Sequence, residues 1–129
     1  MRKLMNTTPA LAPAITLAAI LLTGTATAGE VAIEAARAVP ESGGGYTFHV
    51  TLAHGDTGWD HYADRWEVLA PDGAVLGTRV LLHPHETEQP FTRSLTGVAV
   101  PDGVAVVTIR AHDKVHGDGQ QLFELTLPK

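Results

Sequence analysis

Histidine is the residue type that offers the most chemistry in this sequence, which contains seven histidines and no cysteine. Six of the seven fall in three short segments that are rich in acids and turn residues, and His49 stands apart. Neutral imidazole binds Zn(II) and Cu(II) well, and a usable site needs three or four such groups that converge. The histidines therefore predict a site for Cu(II) or Zn(II), if the fold brings the three segments together.

The strongest pair of candidate ligands is the His-Pro-His segment at residues 83–85. The proline favours extended backbone before it, and an extended chain directs side chains two residues apart to the same side. The other segments each supply further imidazoles. The predicted ligands are His83, His85, His116, His61 and His54.

Acidic neighbours of these histidines could be oxygen ligands, or acceptors that fix the tautomer of an imidazole. This second group comprises Asp60, Glu86 and Asp113, together with His112, which falls on the outward phase of its strand. Oxygen-rich calcium coordination is an alternative, but EF-hand spacing is absent and calcium would not require the histidines. Polar loops that are simply solvated are a second alternative.

Trp59 and Tyr62 flank His61 and are expected to line a pocket or to contact a partner. Packing of one of them against the end of the domain is an equally good interpretation. A metal-free module that binds a protein or a carbohydrate through the same loops is therefore the alternative function.

The elements that must position these residues read as short strands. Val, Thr, Leu and aromatic residues alternate with polar ones between turn residues, as in sheets with one solvated face. The predicted strands are Glu30–Ala38, Tyr46–His54, Asp64–Ala70, Ala74–Leu82, Phe91–Thr96, Val104–Ala111 and Gln121–Leu127.

The loops after the second, fourth and sixth strands hold the six clustered histidines, whereas the other three loops hold none. In an antiparallel sandwich these alternate loops emerge at one end. Seven such strands, with Trp66 pointing inward from the third, resemble an immunoglobulin or fibronectin type III sandwich. The predicted fold class is all-β, a seven-stranded antiparallel immunoglobulin-like sandwich. The segments Trp59-Asp60-His61-Tyr62 and His83-Pro84-His85 also resemble small exported bacterial proteins without an assigned role.

Residues 1–28 read as a cleaved signal peptide, and residues 29–129 as the β-sandwich domain. Arg2 and Lys3 precede an apolar stretch that is too short to span a bilayer, and Ala26 and Ala28 form a small-x-small cleavage motif. The expected location is periplasmic or secreted, without membrane attachment after cleavage. The absence of cysteine fits a periplasm better than a disulfide-rich extracellular scaffold.

Charge and motifs limit the remaining functions. Without Arg2 and Lys3, seven basic residues face fourteen acidic ones, a balance that argues against nucleic acid as a partner. A metal ion, and a periplasmic protein, are the partners expected. Hydrolase motifs such as Gly-x-Ser-x-Gly and His-Glu-x-x-His are missing. An open three-histidine site would be competent for catalysis, but no residue pattern favours catalysis over metal binding.

Overall fold

The computed structural model describes residues 29–129, so the predicted signal peptide lies outside the described residues. This part of the chain forms seven β-strands and no helix, which confirms the all-β, seven-stranded prediction. These residues contain no helix that is long and apolar enough to cross a bilayer. The strands are β1 (Ala32–Pro40), β2 (Tyr46–Ala53), β3 (Ala63–Leu69), β4 (Val75–Val80), β5 (Phe91–Val98), β6 (Val106–Asp113) and β7 (Gly117–Thr126).

The strands pair antiparallel in two sheets, with orders β1-β2-β5 and β4-β3-β6-β7. The fourth strand pairs with β3 and so belongs to the second sheet. In constant-type immunoglobulin domains the fourth strand joins the first sheet. The architecture is therefore a two-sheet sandwich whose division of strands differs from that type.

Alternation of apolar and polar side chains builds the core between the two sheets. Phe48, Val50 and Leu52 of β2 are fully buried, as are Val107 and Ile109 of β6. These residues alternate with more accessible ones along each strand, as in the alternation from which the sequence predicts strands. The core position predicted for Trp66 is confirmed, because its side chain is inaccessible to solvent. Burial of large apolar side chains contributes about 1.5–3 kcal/mol each, so this layer fixes the strand register on which the loops depend.

The predicted boundaries of the last two strands are wrong by one to four residues. β6 continues to Asp113, and β7 begins at Gly117, four residues before the expected start. His112 and Asp113 are therefore strand residues, and His112 pairs with Asp118. Gly117 and Gly119 suggested a loop, but pairing with β6 overrides the low strand preference of glycine.

Three connections, residues 54–62, 81–90 and 114–116, lie at one end of the sandwich, which we call the histidine end. Two hydrogen bonds from main-chain N–H groups join them: His54 N–H donates to the Gln89 side-chain oxygen Oε1 (3.0 Å), and Lys114 N–H donates to the Tyr62 carbonyl (3.2 Å). These bonds hold the connections, and the side chains on them, close together.

Candidate metal centre

Three side chains of the histidine end converge in a way that suits one metal ion. His54, His61 and Asp113 each present a donor atom, and these atoms lie within 4.8 Å of one another. His61 Nε2 is 3.4 Å from Asp113 Oδ1, and His54 Nε2 is 3.8 Å from Asp113 Oδ2. Ligands of one ion at about 2.0–2.2 Å from it lie roughly 3–3.5 Å apart. The His61–Asp113 pair already has this separation, and the remaining donor atoms would move closer together to bind the same ion.

Asp113 lies at the centre of this group because the β6–β7 hairpin holds it there. It is the last residue of β6, and its Oδ1 accepts the N–H groups of Val115 (2.8 Å) and His116 (2.7 Å). An Asp that accepts from the backbone two residues on is typical turn chemistry. Burial raises the pKa of Asp113, but these hydrogen bonds and the His116 ring lower it more, and the net pKa is below its usual value. The hairpin thus provides a carboxylate that is 1% exposed.

His54 follows directly after β2 and is oriented by Asp56. Its Nδ1 lies 2.5 Å from Asp56 Oδ1, and both side chains are inaccessible to solvent. The other ring nitrogen, Nε2, lies 2.9 Å from the Gly29 carbonyl oxygen and 3.8 Å from Asp113 Oδ2. A carboxylate that holds an imidazole in this way is the arrangement found around metal-bound histidines.

Asp56 also joins two of the three connections. Its Oδ1 accepts the Ala63 N–H (3.1 Å), and its Oδ2 accepts the His85 N–H (2.7 Å). The same carboxylate thus fixes the His54 ring and holds the 81–90 connection to the start of β3. The sequence prediction did not single out this residue among the acids of the loops. Its position two residues after a histidine was the available signal.

His61 is placed by a tight turn that closes on itself. The Thr57 N–H donates to the His61 carbonyl (3.0 Å), and the His61 N–H donates to the Gly58 carbonyl (3.2 Å). The side chain is 24% exposed, yet its Nε2 is buried and has no hydrogen-bond partner among the described residues. Buried polar atoms are rarely left unpaired, so this nitrogen is available as a ligand for a metal ion.

His116 extends the group towards solvent. Its Nδ1 lies 3.1 Å from both carboxylate oxygens of Asp113, and its ring centroid is 5.1 Å from that of His61. The side chain is 34% exposed. The centre is therefore closed on the His54 side and open on the His61 and His116 side, where an ion and water can enter.

The predicted pair at 83–85 lies beside this group and is not part of it. The two rings are close together, with centroids 4.6 Å apart. The Arg93 guanidinium donates to His85 Nε2 (2.9 Å), and the ring stacks on Phe91. Burial, together with the charges of Arg93 and His83, lowers the pKa of His85. His83 is exposed, and its Nδ1 donates to the Pro84 carbonyl (3.0 Å). A ligand role for either residue stays a prediction.

The other predicted residues are dispersed around the histidine end. Asp60 and Glu86 are exposed. His112 Nδ1 lies 2.5 Å from Asp64 Oδ1, away from the three converging donors. Tyr62 is buried, whereas Trp59 is 64% exposed, and their rings meet edge to face at 5.7 Å. Of the second group of candidates, the structure thus brings Asp113 into the centre.

Comparisons with known proteins give one point of reference. The chain is 53% identical over 74 residues, 57% of its length, to a protein of Halomicrobium mukohataei named "Putative lipoprotein". That stretch covers 36% of the relative, so the chain spans about a third of the relative's length. The relative's name is consistent with an exported protein. No family model matches the chain. No solved structure matches it either.

Proposed function

We propose that this protein is an exported metal-binding protein that holds Cu(II) or Zn(II) through His54, His61 and Asp113. The observation that carries the proposal is the buried Nε2 of His61, which has no hydrogen-bond partner within residues 29–129 and lies 3.4 Å from the Asp113 carboxylate. An ion between them would satisfy the nitrogen and neutralise the carboxylate. His116 is the nearest further imidazole and would supply a fourth ligand.

The donor set guides the choice of metal. Two imidazole nitrogens and one carboxylate oxygen are borderline ligands, which suit Zn(II) and Cu(II) better than the all-oxygen sets that calcium prefers. The opening beside His61 and His116 would allow the ion to exchange. Buffering, delivery or sensing of the ion outside the cytoplasm, in a periplasm where the cell has one, fits such a site.

Export is proposed on two grounds. The first 28 residues have the charge, apolar stretch and small-x-small motif of a signal peptide. The name of the Halomicrobium mukohataei relative adds support. After cleavage, the domain would work as a scaffold of immunoglobulin or fibronectin type III type, with strands that hold rigid positions and loops that carry the site.

Metal binding is tested on the mature protein, residues 29–129, purified without a histidine tag. We expect one Zn(II) or Cu(II) per chain in equilibrium dialysis, and uptake that falls as the pH is lowered, because protons compete with the ion for the imidazole nitrogens. Loss of a group that merely orients a ligand costs roughly 10- to 100-fold in affinity. Loss of a ligand in His61→Ala or Asp113→Asn should cost at least as much.

The matched control is His83→Ala, which removes an exposed imidazole from the same end of the domain. It should leave the affinity unchanged. Equal binding by His61→Ala and His83→Ala would contradict the proposed centre.

A partner-binding module is the second candidate, because three large apolar side chains of the histidine end are exposed. Trp59 is 64% exposed, Leu82 is 73% exposed and Val115 is 60% exposed. Exposed aromatic residues commonly anchor protein or carbohydrate partners. This function would be favoured by two results: the purified wild-type protein contains no metal, and the Trp59→Ala variant no longer binds a partner that the wild type binds.

A further inference from the structure

The main chain of Gly29 lies against two imidazoles of the candidate centre. The Gly29 carbonyl oxygen is 2.9 Å from His54 Nε2. A Cβ atom on this residue would lie 2.8 Å from His116 Cε1 and 3.1 Å from His116 Nε2. Its φ is +87°, in the region that favours glycine. Both the conformation and the close approach of the His116 ring therefore require a glycine here.

Gly29 is also the residue that the cleavage motif would make the first of the mature chain. Hydrolysis of the Ala28–Gly29 bond by a signal peptidase consumes one water and leaves a carboxylate on Ala28 and a primary amine on Gly29. In the precursor this nitrogen is an amide, whose lone pair is delocalised into the carbonyl group. Cleavage thus creates a nitrogen donor beside the candidate centre.

Covalent geometry limits where that nitrogen can lie. Standard bond lengths place the Gly29 nitrogen within about 6 Å of His116 Nε2, and within about 6–7 Å of His54 Nε2. The amine nitrogen and the carbonyl oxygen of one residue can bind the same ion in a five-membered chelate ring. The carbonyl oxygen lies at hydrogen-bond distance from His54 Nε2, 2.9 Å. The two atoms would need to separate by only a few tenths of an ångström, to roughly 3–3.5 Å, to bind one ion.

We propose that the amino group and carbonyl oxygen of Gly29, freed by cleavage, complete the metal centre. This inference rests on the proposed function. The ion would then be held by His54, His61 and Asp113 together with the mature N-terminus. The signal peptide would keep the centre incomplete until export, so the protein acquires its full affinity only after it has crossed the membrane.

The test compares three forms of the protein with Cu(II) as the probe. The first begins at Gly29, the second retains Ala28 as one extra residue, and the third begins at an acetylated Gly29. The extra residue converts the Gly29 nitrogen back to an amide, and acetylation does so without adding a new amine. Mass spectrometry of the exported protein establishes its first residue, and thermal unfolding checks that all three forms fold.

We expect the extended and acetylated forms to bind Cu(II) about tenfold or more weakly than the form that begins at Gly29. With ¹⁵N-labelled glycine, the electron paramagnetic resonance spectrum should change in its nitrogen couplings only in the form with the free amine at Gly29. Equal affinity and equal spectra in all three forms would overturn the inference and leave the proposed function standing. An exported protein that begins elsewhere would also overturn it. Absence of Cu(II) binding that depends on His61 would refute the proposed function itself.

Discussion

At the scale of residues, the chemistry of the centre depends on two buried carboxylates as much as on the histidines. Asp113 faces three imidazoles, and Asp56 holds the ring of His54. The sequence pointed to histidine as the functional residue type, and to Asp113 as a possible helper. The sequence could not show that His85 contacts Arg93, because this contact depends on how the 81–90 connection folds back against β5. Which histidines converge is decided by tertiary contacts.

A residue-scale prediction concerns Asp56→Asn. The amide retains one acceptor oxygen, whereas the carboxylate serves three donors with two oxygens. A buried donor left unpaired costs about 1–3 kcal/mol, so we expect the free energy of unfolding in urea to fall by that amount. Zn(II) affinity should fall roughly 10- to 100-fold, because His54 loses its orientation.

The matched control for this carboxylate is Asp60→Asn, which changes an exposed acid of the same connection. It should alter neither the urea midpoint nor the competition with a zinc chelator. If Asp56→Asn and Asp60→Asn behave alike in both measurements, Asp56 does not position the ligand.

At the scale of elements, the β6–β7 hairpin shows which features the sequence predicts and which it does not. The alternation that predicts this strand matches the structure, in which Val107 and Ile109 are fully buried. The segment from His112 to Gly119 looked like a loop because of its glycines and acids. In the structure Asp113 pairs with Gly117, and His112 pairs with Asp118. The ladder continues because the neighbouring strand β3 supports β6 on its other side, and composition alone does not report that support.

An element-scale prediction follows from Gly117, whose φ is +76°. Alanine at a left-handed position costs roughly 1–2 kcal/mol, so Gly117→Ala should lower the unfolding free energy by about that much. The substitution should also shift the turn that presents Asp113 and weaken Zn(II) binding. Chemical denaturation and zinc competition measure the two effects.

The control for this turn is Gly73→Ala at the opposite end of the sandwich. Gly73 has a φ of +89°, and a Cβ atom at either glycine would meet nothing within 4 Å. The two variants should therefore lose similar stability, while Gly73→Ala retains full metal affinity. If both variants lose Zn(II) affinity, or neither does, the turn at Gly117 has no specific role in positioning Asp113 for metal binding.

At the scale of the whole molecule, the sandwich was readable from the sequence because seven alternating segments separated by turn residues leave few other arrangements. The same pattern placed the histidine loops at alternate connections. The contacts from Asp56 to His85 and from Tyr62 to Lys114 hold those connections together. The division of strands between the sheets, with β4 beside β3, could not be predicted from the sequence. None of the six residues of β4 is buried, so the residue pattern of this short strand fits either sheet.

A crystal structure of the mature protein grown with Zn(II), with anomalous data collected above and below the zinc edge, tests directly whether His54, His61 and Asp113 hold the ion. We expect one strong anomalous peak within about 2.0–2.2 Å of His54 Nε2, His61 Nε2 and a carboxylate oxygen of Asp113. A well-ordered structure without a peak there, or with its peak at His83 and His85 instead, would contradict this expectation.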